Sequence, residues 1–119
     1  MAVLPQAYEY IGADRDPRIL LLCDHASNYL PPEYANLGLP DGNLETHIAY
    51  DLGAAEITRV LAAELGCPAI LSNFSRLLID PNRGLDDPTL VVKLSDGNVI
   101  PANHRVDKYQ DRQEWQRRI

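Results

Sequence analysis

Ile19-Leu20-Leu21-Leu22-Cys23 is a continuous apolar run, stopped at once by Asp24-His25-Ala26-Ser27-Asn28. Unbroken rather than alternating apolarity suits a strand covered on both faces, so the run predicts a buried strand of a parallel sheet that ends in a polar loop. Downstream, the spacing predicts a helix over roughly 45–65. Tyr50, Ala54, Ile57, Leu61 and Leu65 form one stripe, and Glu56, Arg59 and Ala63 lie opposite. Asn43 or Thr46 can cap its start, and Gly66-Cys67-Pro68 stops it. Ala69-Ile70-Leu71-Ser72-Asn73 then reads as a second strand. Strand, helix and strand make a βαβ unit with a right-handed crossover, which places the chain in the α/β class.

Around this unit the signals are weaker. Tyr29 to Gly42 is a polar loop rich in Pro and Gly. Ser75 to Gly84 reads as a strand running into a turn. Thr89–Leu94 and Val99-Ile100 flank Ser95-Asp96-Gly97-Asn98 as a hairpin, with Asp-Gly as the turn signal. His104 to Ile119 has good helix formers but a weak apolar face, and a helix that simply runs out of sequence points to a chain cut short.

The 119 residues fit one domain with a real core, and 45% apolar with 24% charged residues is ordinary globular composition. Net charge is −6, divided unevenly: residues 104–119 carry +2, so residues 1–103 carry −8. A body that acidic repels phosphate backbones, which argues against nucleic-acid binding. No apolar run approaches a membrane span, and the N-terminus lacks a signal-peptide layout, so a cytoplasmic protein is expected. Cys23 and Cys67 stand alone beside apolar runs. Two buried, reduced thiols are expected there, and zinc binding through sulfur is not.

Three groups of residues could carry chemistry. His25 lies two residues past the first strand's carboxyl end, where ligand sites of open α/β sheets gather. It could be a metal ligand, a general base or a hydrogen-bonded loop residue. His47 and Asp51, four apart on the expected helix, would be neighbours on one face. A carboxylate receiving one imidazole N–H leaves the other nitrogen for a metal, although a local polar pair near a helix start is an equally simple reading. Arg76, Asp80, Asn82 and Arg83 form the densest group. Arginine suits planar, bidentate capture of carboxylate, and Asp80 could hold one arginine in place, or the set could be an ion pair tying a loop to the sheet. His104 is expected to be structural.

Taken in order, these elements resemble the N-formylglutamate amidohydrolase family. The resemblance rests on Leu22-Cys-Asp-His25-Ala-Ser-Asn28 with Pro31 beyond, on His47-Ile-Ala-Tyr-Asp51-Leu-Gly-Ala54, and on Ser75-Arg-Leu-Leu-Ile-Asp80-Pro-Asn-Arg83, with Asp96-Gly and Ile100-Pro-Ala-Asn103 afterward. It covers most of residues 18–103, and the third block is the most specific. A more distant likeness links the chain to the zinc carboxypeptidase and aspartoacylase group, which shares an Asn-Arg pair gripping a substrate carboxylate.

The resemblance implies a partial phosphorylase/hydrolase-like three-layer fold, with a mostly parallel sheet and flanking helices. Residues 1–119 would be the N-terminal part of a single amidohydrolase domain, the rest of which would cover an apolar sheet edge. It implies a zinc-dependent hydrolase that releases formate from N-formyl-L-glutamate or a related small anionic N-acyl amino acid. His25 would be a ligand of one zinc ion. The carboxypeptidase-type pattern expects Glu three residues later, where this sequence has Asn28, so His47, with Asp51 behind it, becomes the candidate second ligand. Arg76 would polarise the amide carbonyl, Asn82 and Arg83 would bind the α-carboxylate, and Asp80 would orient the arginines. A third ligand and a general base would come from beyond residue 119. The alternative is a non-catalytic module or remnant that holds an acidic, amino-acid-like metabolite through Arg76, Asn82 and Arg83. Either reading expects His25, Arg76 and Arg83 to face one cleft.

Overall fold

The computed structural model describes residues 6–119; residues 1–5 of the expected 1–119 domain lie outside the described residues. Strand β1 (Tyr8–Ile11) is followed by β2 (Leu21–Cys23), helix α1 (Ala54–Leu65) and β3 (Ala69–Ser72). A hairpin of β4 (Leu94–Ser95) and β5 (Asn98–Val99) and a final helix α2 (Arg112–Arg118) come after. The chain is thus an α/β protein with small sheets.

The expected βαβ unit is present, since β2 and β3 pair in parallel with Leu22 opposite Ile70. The mostly parallel sheet is not. β1 pairs antiparallel with the other side of β3, giving a mixed sheet of order β1-β3-β2. β1 escaped the sequence reading because its four residues, Tyr-Glu-Tyr-Ile, offer too short a pattern beside the longer apolar run.

α1 starts nine residues later than expected. Gly53 has a left-handed backbone (φ +83), a conformation that glycine adopts freely and that fixes the helix start at Ala54. Residues 41–45 form a short 3-10 helix, and residues 46–51 are turns rather than helix. The Gly66 stop holds as read: its φ is +62, and its N–H closes on the Ala62 and Ala63 carbonyls. The inward face differs too. Ala62 is fully buried against Cys23, Ala69 and Leu71, with Ala54 and Ala55 beside it, whereas Ile57, Leu61 and Leu65 of the expected stripe remain exposed. Small residues let the helix axis approach the sheet closely, which longer side chains on that face would prevent. Arg59 joins the layers at their rim through a bidentate pair with Glu9 of β1, at 2.8 and 2.9 Å. The other sheet face carries Tyr8, Tyr10 and Leu22, all exposed.

The larger core lies under irregular chain. Leu30, Leu37, Leu39, Ile48, Ala49, Leu77, Leu78 and Ile100 are buried together, and none belongs to a strand or an α-helix. Cys23 and Cys67 are buried free thiols, as expected. The Ser75–Gly84 stretch is a series of turns, not a strand, and the hairpin is confined to β4 and β5 around Asp96-Gly97. α2 covers only part of the expected 104–119 helix; its start is capped by the Asp111 carboxylate, which accepts from the Glu114 N–H. No helix among the described residues is long and apolar enough to cross a membrane.

Residues 35–38 make a left-handed turn, with φ of +47, +56, +55 and +79. Each non-glycine member costs roughly 1–2 kcal/mol, a strain offset by complete burial of Leu37 in the larger core. A Cβ at Gly38 would stand 3.0 Å from Pro101 Cβ. Gly38→Ala therefore destabilises the chain by about 2 kcal/mol, combining left-handed strain with that contact. A urea titration should show a lower midpoint with an unchanged slope.

Candidate active site

The loop after β2, the turn before α1 and the turn after β3 are stitched together through their backbones. Asp51 N–H donates to the His25 carbonyl (2.9 Å), Ser75 N–H to the Tyr29 carbonyl (2.7 Å), and Arg76 N–H to the Ala49 carbonyl (3.3 Å). The buried Ser75 hydroxyl adds a bond to the Ala49 carbonyl at 2.8 Å. Three segments distant in sequence thereby present their polar side chains to one point.

Asp80 occupies that point. It is 3% exposed, and one oxygen lies 2.7 Å from His25 Nε2 while also accepting the Asn82 N–H at 2.9 Å. Its other oxygen accepts from Arg76 Nη2 at 3.0 Å and lies 3.7 Å from Arg83 Nε. Burial alone would raise the Asp80 pKa. Hydrogen bonds from His25 and the Asn82 amide, with the charges of His25 and Arg76, reverse that effect and hold the carboxyl below its ordinary value. Asp51 faces the opposite side of the imidazole, with Oδ2 3.3 Å from His25 Nδ1 and Oδ1 3.5 Å from Arg76 Nη1. Arg76 thus bridges the two carboxylates that flank His25.

The structure therefore brings together His25, Asp51, Arg76, Asp80 and Arg83 but leaves out His47. Because residues 46–51 are not helical, the four-residue spacing does not set His47 beside Asp51. His47 is 65% exposed in its side chain, and its Nε2 meets Asp96 of the β4–β5 turn at 2.9 Å. Asn82 reaches the cluster through its backbone N–H, and its side chain is exposed. Asn28, where a glutamate was expected, ties the loops together by donating to the Leu44 carbonyl at 2.8 Å. His104 is exposed and apart from the cluster.

A cavity of about 450 Å³ adjoins the cluster and is lined by Asp80 and Arg83 together with Phe74, Ile79, Leu85 and Leu90. His25 and Arg76 are not among its walls. In place of the expected single cleft there are a polar cluster and an apolar cavity that share Asp80 and Arg83. Behind them lies a buried network absent from the sequence reading. Asn103, fully buried, donates to the Leu77 and Val92 carbonyls at 2.8 Å each and accepts from Arg118 Nη1 at 2.7 Å. The Ile100-Pro-Ala-Asn103 block was visible as a motif, but nothing in it announced where the carboxamide would point.

In metal centres a ligating imidazole commonly donates its second N–H to a carboxylate, and the Nε2–Asp80 contact supplies that partner. With the proton on Nε2, the Nδ1 lone pair faces Asp51. Among the described residues, no third His, Cys, Asp or Glu joins His25 and Asp51 in a metal-holding group. Since zinc takes at least three protein ligands, the donors present fit part of such a site.

The profile of the N-formylglutamate amidohydrolase family matches residues 18–119, and the chain belongs to that family. None of the curated proteins matches it. Among solved structures, it is similar to a gene product of Agrobacterium tumefaciens, with 31% identity and a TM-score of 0.85. The match covers 94% of this chain and 43% of that one, so the chain spans less than half of that relative's length.

Proposed function

We propose that this chain contributes to a metal-dependent amide hydrolase acting on N-formyl-L-glutamate or a related small anionic N-acyl amino acid. The observation that carries the reading is His25 held between two carboxylates that Arg76 bridges. His25 through Nδ1 and Asp51 through its carboxylate would hold the metal, which revises Asp51 from a supporting group to a ligand. Bound zinc supplies Lewis acidity and activates water near neutral pH. Asp80 fixes the imidazole's tautomer and direction through Nε2. Arg76, anchored by two carboxylates and still partly exposed, presents guanidinium N–H groups to a developing oxyanion; one preorganised donor is worth roughly 2.7–4 kcal/mol in a transition state. Arg83, held only loosely, clasps the substrate carboxylate, with Asn82 beside it. Asp51, Asp80 and Asp87 offset the two arginines locally, so the charge of bound zinc, together with Arg76 and Arg83, would be needed to draw an anionic substrate in at short range, where screening is weakest. The finer fold reading, a three-layer arrangement with further strands on the sheet, belongs to the same proposal.

Zinc binding after metal-free purification tests it. His25→Ala and Asp51→Ala each weaken zinc by about 100-fold or more, and Asp80→Asn by roughly 10–100-fold, as for other supporting groups. His47→Ala leaves binding unchanged. Zinc affinity indifferent to His25→Ala would remove the metal from the proposal. The two-donor set favours one second reading, a metal-free binding module using Arg76, Asn82 and Arg83; carboxylate binding with no zinc affinity would select it.

A further inference from the structure

Arg59 and the strand order together fix which way each flank of α1 points. The sheet runs β1-β3-β2, and Arg59 reaches Glu9 on β1. Ala54, Ala55 and Ala62 face the sheet. At ~100° of turn per residue, Ile57, Leu61 and Leu65 fall on the flank opposite Arg59, so they overhang the open side of β2. They are 61%, 45% and 54% exposed. Beneath the overhang lies unpaired backbone. The Leu21 N–H reaches the Pro68 carbonyl, so the pleat turns the Leu22 N–H and carbonyl outward. Among the described residues, no strand pairs with β2 on that side. The Leu22 side chain, on the sheet face away from α1, is 68% exposed.

We infer that the open edge of β2 and the overhanging flank of α1 form one docking slot for an added apolar strand. Main-chain bonds at Leu22 hold the strand and set its register. Its side chains meet Ile57, Leu61 and Leu65 on one face and the Leu22 side on the other. A strand enclosed in this way carries a continuous apolar run, as Ile19–Cys23 does, rather than an alternating one. The occupant is a segment of polypeptide equivalent to the part of the Agrobacterium protein outside the match, since only 43% of that chain is matched. A second copy suits the slot less well, because it brings another −6 of charge to the contact. The inference rests on the further strands proposed above and on nothing else in that proposal. Zinc and substrate take no part in it, so zinc binding that depends on His25 survives its failure.

The test mixes the 119-residue chain with the unmatched part of the Agrobacterium protein, produced as a separate polypeptide, and follows deuterium exchange and methyl NMR. The two associate, exchange at the Leu22 amide slows by about tenfold or more, and the Ile57, Leu61 and Leu65 methyl signals shift. Ile57→Asp and Leu61→Asp each weaken the complex by about tenfold or more, because a carboxylate there loses its water against the strand. Val60→Asp, equally exposed but on the side of α1 turned away from the sheet, leaves it unchanged. Circular dichroism of the three variants alone matches the parent, since all three positions are exposed. A complex that leaves Leu22 exchange and these methyls unaltered overturns the slot, as does one weakened equally by Val60→Asp. Failure of the two polypeptides to associate overturns the occupant and the inference with it. Protection of Leu22 that rises with concentration in the chain alone assigns the slot to a second copy and overturns the inference likewise.

Discussion

Asp80→Asn lowers the unfolding free energy by about 3 kcal/mol and Tm by on the order of 10 °C. The carboxylate is buried and carries His25, Arg76 and the Asn82 amide at 2.7–3.0 Å. Removing the charge leaves a buried imidazole and two arginines without their common partner. The arginines are partly exposed, which keeps the loss near the lower end of the range for broken buried pairs. The pH dependence gives an independent check. The Asp80 pKa is held below its unfolded value, so its stabilisation is complete above about pH 4, the ordinary carboxylate value, and disappears as pH falls through the folded value. Wild-type and Asp80→Asn stabilities, measured by urea denaturation, converge below about pH 4. A constant gap from pH 7 to pH 2 would show that Asp80 stabilises by shape rather than by charge.

Asn103→Leu produces a loss of similar or greater size, about 3–4 kcal/mol, although the substitution adds apolar volume. It strips donors from the Leu77 and Val92 carbonyls and the acceptor from Arg118, all in or next to the buried core. Each buried polar group left unsatisfied costs roughly 1–3 kcal/mol. The Leu77 carbonyl lies three residues before Asp80, so the damage reaches the site. In Asn103→Leu the Arg83-dependent binding of an anionic N-formyl amino acid weakens, even at temperatures where the protein remains folded. A variant with wild-type thermal stability would contradict this account of the network.

How far the sequence could be read depended on whether a residue's partners were local. Leu21–Cys23 and Ala69–Ser72 were legible because a continuous apolar run between polar stops is a local signal, and Gly66-Cys67-Pro68 is a local stop. The start of α1 was not, since Gly53 decides it through a backbone sign that spacing does not encode. The inward stripe was misread because closeness to a thin sheet selected Ala54, Ala55 and Ala62, while the longer residues that periodicity favours stayed outside. The larger core went unseen because its leucines come from turns. In the site, the Arg76–Arg83 block was legible from composition. The pairing of Asp51 with His25, and the departure of His47 toward Asp96, followed from 26- and 49-residue separations that only the folded chain closes.

Among the described residues, β2, the strand that delivers His25, has one neighbour, β3. Leu21 N–H turns toward β3, where it reaches the Pro68 carbonyl at 3.1 Å, so the pleat sends the Leu22 N–H to the open side. In deuterium exchange, Leu22 should therefore take up label at rates close to those of a loop, while Leu21 and Cys23 on either side remain protected. The support beneath the imidazole is rigid along one flank only, and a cover over the other would register first as slowed exchange at that single amide.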